Sequence, residues 1–468
     1  MQYFKKNINL FIVIVLFIIL CVSYILVIPV FEAPDEQWHF SYAFYLSKYS
    51  KIPSQYDWQI PIKQYIKENI EENSLNVFYM DDKYMLYKNS SSSFYYINKT
   101  LHPPLYYFIS SQIIKPFGVN NIYMEDNFMQ EHGNYNMYID NKILKNNSPT
   151  ISLVLILRLF QIIYGVLIIF FIYKIIKLIS DDEFKNNSIF LISGMAFLPQ
   201  FVFLCSYINN DVLSSLFGLV SVYFIVLLFK RDKAYLGLIS ILFAIIGGFT
   251  KYTILIMVPV TLIAFLTWCV IKKKKWALIS VLVVIFLTIT VFYYVIFNIR
   301  KNPPLLLDRI ISTSNGILAG LRDGKMSFYI DMPVLIGTFK SSVAVFGWMN
   351  IFADKFIYNF FLAYVISGIL VFFANIRDYR KSKKSIIFII VSIISIFSYF
   401  LLYAVSTKWA QNQGRVILLA VFLTYILAIL GFKTIKTSFR NVLYYTLFAS
   451  SLFISVFCLY NYIYLKYY

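Results

Sequence analysis

Asp35, Glu36 and His39 put two carboxylates and an imidazole directly after an apolar run that ends near Val30. Carboxylates held at the lip of a membrane-spanning helix suit general-base catalysis, because a rigid element fixes their depth and reach, and Asp35 and Glu36 are the catalytic candidates. Two cations elsewhere in the chain suit a phosphate: Lys251, in a short link between apolar runs, and Arg415, at the start of another. Charge-assisted hydrogen bonds from Arg or Lys are strong ligands for phosphate oxygens. A base together with a phosphate clamp describes group transfer. His39, His102, Asn210, Asp211 and Gln413 stand at the ends of other apolar runs and are candidates to bind or orient substrate. Each residue also has a plain structural reading. Asp211 could cap the helix it opens, Lys251 could snorkel to an interface, Arg415 could anchor to lipid phosphate, and the histidines could be structural. Glu36 and His39 permit a divalent cation but do not demand one, so the metal stays unassigned and no cofactor is certain.

The elements that must position these groups follow from composition. Of 468 residues, 59% are hydrophobic and only 14% charged, so most of the chain needs lipid as its solvent. The formal charge of +19 does not point to nucleic acid, since the lysines and arginines sit in short runs between apolar segments, where retention on the cytoplasmic side explains them. Cys21, Cys205, Cys269 and Cys458 all lie in apolar segments and form no metal or disulfide pattern. Apolar stretches long enough to cross a bilayer lie near residues 9–30, 150–179, 187–206, 212–229, 234–250, 253–271, 276–298, 355–376, 385–405, 415–432 and 441–465, about eleven helices. The first is too long for a cleaved leader and reads as a retained anchor.

With the N-terminus in the cytoplasm and sides alternating, five basic runs fall inside: Lys174 to Lys185, Lys230 to Lys233, Lys272 to Lys275, Arg377 to Lys384 and Lys433 to Arg440. Asp35, Glu36, His39, His102, Asn210, Asp211, Lys251, Gln413 and Arg415 then all fall on the extracytoplasmic face. The first outside loop, 31–149, and a second, 300–355, are far longer than ordinary connections and are expected to fold against the membrane. His102 to Phe108 and the apolar stretch to Val119 are too short for a span and predict an interfacial or re-entrant helix, with Pro103 and Pro104 setting its start. Tyr84 to Tyr96 reads as a polar loop.

The run Ala33 to Ser47, the His102-Pro-Pro-Leu-Tyr-Tyr107 segment, Asn210-Asp211, Thr250-Lys251 and Gln413-Gly-Arg415 resemble the DUF2142 family of bacterial membrane proteins. That family is in turn similar to the GT-C glycosyltransferases, which include protein O-mannosyltransferases and aminoarabinose transferases. After Arg415 the family often has tyrosine and then proline, whereas Val416 and Ile417 follow here. The resemblance implies a shared transmembrane module over residues 1–300 and a variable one over 301–468. It implies transfer of a sugar from a polyprenyl-phosphate carrier to an extracytoplasmic acceptor, a glycan, glycolipid or protein, with Asp35 as the base of an inverting reaction. Rival readings are a transporter or flippase of a lipid-linked saccharide and a non-catalytic protein that binds a glycan lipid. Transport usually brings repeated halves and ionisable groups near the bilayer midplane; this chain has no convincing repeat, and its polar groups collect at one edge.

Overall fold

The computed structural model describes residues 8–50, 52, 77–80, 85–88, 94–95, 102–118, 124–125, 148–180, 186–273, 332–380, 382–405, 413–435 and 437–468. The chain is a largely helical, multi-pass membrane protein. Helix α1 (Ile8–Val27) leads into a short link and α2 (Glu36–Tyr49). Strands β1 (Val77–Met80), β2 (Met85–Lys88) and β3 (Phe94–Tyr95) precede α3 (Leu105–Ile114), and β4 (Met124–Glu125) follows it. The four strands form one sheet in the order β3-β2-β1-β4. A polar loop was expected where β2 and β3 lie; the alternation there is too short to announce a strand from sequence.

The bundle continues with α4 (Ser148–Ile179), α5 (Ser193–Ala196), α6 (Pro199–Leu204), α7 (Asp211–Arg231), α8 (Ala234–Thr250) and α9 (Met257–Ile271). Next come α10 (Met332–Val343), the hairpin β5 (Val345–Phe346) and β6 (Ile351–Phe352), and α11 (Lys355–Ala374). Then follow α12 (Ile376–Arg380), α13 (Lys383–Val405), α14 (Leu418–Lys433), α15 (Thr437–Cys458) and α16 (Leu465–Tyr467). Among the described residues seven helices are long and apolar enough to cross a membrane: Ile8–Val27, Pro149–Ile179, Asp211–Arg231, Tyr252–Ile271, Lys355–Ala374, Gly414–Lys433 and Phe439–Tyr467. Ala234–Thr250 is a shorter apolar helix.

The expected count of eleven is not confirmed. The 276–298 stretch and most of the 300–355 loop lie outside the described residues. The stretch at 187–206 is no continuous span: a 3₁₀ turn (Asn186–Ile192) leads into α5 and α6, and almost every side chain from Ile189 to Leu204 is buried in protein. Pro199 is the reason. A residue before proline is driven out of the helical region, and Leu198 is extended (φ −62°, ψ 119°) while Pro199 starts the next helix.

Two ends of the bundle differ in chemistry. Lys433 Nζ donates to Ser180 O (2.7 Å), and Lys272 pairs with Asp232 (2.6 Å), so the C-terminal ends of α4, α7, α9 and α14 carry the basic residues. The opposite end holds the start of α7 and α14, the end of α1 and α8, and the helices α2 and α3 of the first loop.

Candidate active site

The residues singled out by sequence meet at that second end, mostly by pairing with one another. Asp35 stands at the start of α2 in the left-handed region (φ 65°) and makes no side-chain cap to its helix. Non-glycine residues take this conformation rarely, Asp more readily than most, and holding it costs on the order of 1–3 kcal/mol. Its Oδ2 accepts from Arg415 Nη2 at 2.6 Å, and the Asp35 side chain keeps a quarter of its surface exposed. Arg415 is otherwise buried, with Nε donating to Gln413 Oε1 (2.6 Å) and Nη1 to Pro34 O (3.2 Å) and the Tyr207 hydroxyl (3.5 Å). Gly414 makes this placement fit. Its N–H donates to Ser341 Oγ (2.6 Å), and a Cβ there would fall 2.4 Å from Ser342 N.

Glu36 has a different environment. Its carboxylate is fully buried against Arg158, with Nε to Oε1 at 2.7 Å and Nη2 to Oε2 at 2.6 Å. Ile208 N (3.1 Å) and Phe31 N (3.0 Å) donate to the same two oxygens. Arg158 Nη1 also donates to Ile28 O (2.7 Å) and Ile25 O (3.4 Å), and Nη2 to Pro29 O (2.9 Å). These carbonyls lie at and beyond the end of α1, where backbone acceptors lack helical partners, so one guanidinium caps α1 and fixes the start of α2. Sequence reasoning overlooked Arg158. The signal was present, since a lone arginine within an apolar span demands a buried partner.

Asn209 closes the link between α6 and α7. Its Oδ1 accepts from Asp211 N (3.0 Å) and Val212 N (3.2 Å), and its Nδ2 donates to Leu204 O (2.7 Å) and Tyr207 O (2.9 Å). Asn209 therefore does the capping that Asp211 could have done, and Asp211 turns its carboxylate to Lys251 at the end of α8. Asn210 Nδ2 donates to Thr250 O (3.2 Å) and lies 3.2 Å from His102 Nδ1, while its buried Oδ1 has no hydrogen-bond partner among the described residues. His39 Nδ1 meets the Tyr107 hydroxyl at 2.9 Å, and the rings of His39 and His102 lie edge-on at 5.9 Å. Gln161, one turn past Arg158, donates to the Tyr106 hydroxyl (2.7 Å) and to Asn209 O (2.6 Å), tying α3 to the bundle. The α3 helix begins where expected, with Pro104 at its N-cap.

Two tyrosine hydroxyls register the charges around them. Burial pushes Tyr107 well above the ordinary range; Tyr42 and Tyr106, then the Asp35 and Asp211 carboxylates, push it further. Burial also raises Tyr207, against the opposing Arg415 charge and with added pressure from Asp211 and Asp35. Both hydroxyls thus lie within electrostatic reach of both carboxylates, and they bind protons too tightly to act as bases near neutral pH. No cluster of three or more His, Cys, Asp or Glu that could hold a metal occurs among the described residues. Arg158 takes up both oxygens of Glu36, and Arg415 holds Oδ2 of Asp35.

Residues 152–294 match the family described as dolichyl-phosphate-mannose-protein mannosyltransferase. No curated protein matches the chain. Among solved structures, the chain is similar to the oligosaccharyltransferase AglB of Archaeoglobus fulgidus in complex with an inhibitory peptide and a dolichol-phosphate, at 12% identity and a TM-score of 0.51, covering 98% of this chain and 56% of that one. The apo form of the Archaeoglobus fulgidus oligosaccharyltransferase gives 12% identity and a TM-score of 0.49, with the same coverage. Its complex with Zn and sulfate gives 14% identity and a TM-score of 0.42, covering 76% of this chain and 44% of that one. The chain thus spans about half the length of these enzymes. The family match covers under a third of the chain, and the likeness to AglB shows a shared fold.

Proposed function

We propose that the chain transfers a sugar from a polyprenyl-phosphate donor to an acceptor hydroxyl on the extracytoplasmic side. The observation that carries this reading is the Asp35–Arg415 pair. A partly exposed carboxylate lies 2.6 Å from a buried guanidinium, where the link between α1 and α2 meets the 3₁₀ turn (Gly414–Ile417) that leads into α14. In the reaction, Asp35 takes the acceptor's proton and the acceptor oxygen bonds to the anomeric carbon. The bond from that carbon to the phosphate oxygen breaks, its electron pair leaves with the phosphate, and the centre inverts. Arg415 and Lys251 hold the phosphate and stabilise the charge it gains. Glu36 positions Asp35 through Arg158. His39, His102, Asn210, Asp211 and Gln413 orient the reactants around them.

The dolichol-phosphate bound by AglB and the mannosyltransferase description of the matched family support a lipid-linked donor. The gathering of the proposed site at the end of the bundle opposite the basic residues supports an outward-facing site, and the finer resemblance to DUF2142 rests on the motifs quoted above. The module through residue 300 supplies every proposed group except Gln413 and Arg415, which come from the second.

Mass spectrometry of lipid extracted from the purified, detergent-solubilised protein tests the donor class. A polyprenyl phosphate or its sugar ester should be enriched over bulk membrane lipid, and Arg415→Ala should lose the enrichment. Equal enrichment in both proteins would remove Arg415 from the donor site.

A further inference from the structure

The site contains two arginine–carboxylate pairs of opposite character. Glu36–Arg158 is sealed, with neither side chain exposed and every guanidinium N–H directed to a carboxylate or carbonyl oxygen. Asp35–Arg415 is open: the carboxylate is 25% exposed, and the Arg415 Nη1 contacts, at 3.2 and 3.5 Å, are long. Lys251–Asp211 resembles the open pair, since the lysine side chain keeps 14% of its surface exposed. Both cations assigned to the donor phosphate are therefore held by carboxylates, and a carboxylate and a phosphate present the same kind of acceptor oxygens to a guanidinium or ammonium group.

Building on the reading of Arg415 and Lys251 as donor ligands, we propose that these pairs are exchange sites: the phosphodiester of a prenyl-linked donor takes Arg415 from Asp35 and Lys251 from Asp211, and this exchange releases Asp35 to act as the base. A carboxylate held by a guanidinium accepts a proton poorly. While Arg415 holds it, Asp35 is a weak base. Once the phosphate occupies the guanidinium, Asp35 loses its counter-charge, acquires an anionic neighbour and gains proton affinity where the acceptor hydroxyl arrives. The left-handed backbone at Asp35 and the Arg415 bond to Pro34 O hold the carboxylate beside the cation it yields, so the exchange needs side-chain movement alone. The exchange also enforces an order, donor before acceptor. The neutral headgroup of a free prenyl alcohol could not perform it, so the site selects phosphorylated lipids.

The probe is methyl farnesyl phosphate, a prenyl phosphodiester that does not titrate near neutral pH, bound to the full chain in nanodiscs. Asp35→Asn removes the competing charge and keeps the shape. It should tighten binding about three- to tenfold, because the fraction of Arg415 open to phosphate rises. Asp211→Asn carries the same expectation at Lys251 and decides the matter should Asp35→Asn fail to fold. In the unmutated protein, calorimetry in buffers of differing ionisation enthalpy should show proton uptake on binding, which Asp35→Asn and Asp211→Asn each lower. Unchanged or weaker binding in the folded variants, or no proton uptake by the unmutated protein, would overturn the exchange. The outcome is separable from the catalytic reading: Asp35→Asn that stops transfer without tightening binding sinks the exchange and leaves the base, whereas Asp35→Asn that still transfers sinks the base.

Discussion

Asp35 and Glu36 are neighbours in the chain, yet Glu36 is sealed against Arg158 and Asp35 faces Arg415 at the surface of the site. Removing one member of a buried pair leaves the other charge uncompensated and costs roughly 3–5 kcal/mol. Glu36→Gln and Arg158→Met should therefore lower the thermal unfolding temperature in detergent sharply. Arg158→Lys should fall nearly as far, since an ammonium cannot serve the carboxylate and three carbonyls together. A melting curve unchanged in Arg158→Met would remove the staple. Arg415→Lys should melt close to the unmutated protein but transfer at least about tenfold more slowly, because one ammonium lacks the planar fork that binds phosphate bidentately. The carboxylates and Arg415 were legible in the sequence because polar groups beside apolar runs stand out. The division of labour between Asp35 and Glu36 was not, because it depends on Arg158, more than a hundred residues away and hidden in a helix that reads as lipid-facing.

At the scale of elements, the close approaches occur at glycines. A Cβ on Gly431 would lie 1.8 Å from Gly368 O, so α11 and α14 touch backbone to backbone, a packing that small residues make available in membranes. Gly431→Val should push α14 away from α11 and destabilise the fold by about 1–3 kcal/mol. Gly414→Ala should act locally. It forces Gly414 away from Ser342, shifts Arg415, and should lower transfer while leaving the melting temperature nearly unchanged; full activity in that variant would show that Arg415 tolerates displacement. Long apolar runs announced most of the spans. The break at Leu198–Pro199 was missed although its proline carried the signal, because the pieces are buried in protein as completely as a span is buried in lipid and hydrophobicity alone counts 187–206 as a helix.

For the whole molecule, the concordant basic runs and the converging polar ends define two faces, and we propose from the positive-inside rule that the basic face is cytoplasmic. Asn210 lies in the site but is buried, which makes it a poor reporter for labelling. Lys115 and Lys273 are exposed at opposite ends. In a background lacking the four native cysteines, Lys115→Cys should react with an impermeant thiol reagent on intact cells and Lys273→Cys should stay protected; the reverse pattern would turn the site to the cytoplasm. The most direct test of the account is single-turnover transfer from a polyprenyl-phosphate sugar, measured alongside donor binding in unmutated protein and Asp35→Asn. Loss of the base should slow sugar transfer and release of polyprenyl phosphate by at least about 10²-fold, with donor binding no weaker than in the unmutated protein and a melting temperature close to that protein's. Transfer at the unmutated rate by folded Asp35→Asn would contradict the claim that this carboxylate takes the acceptor's proton.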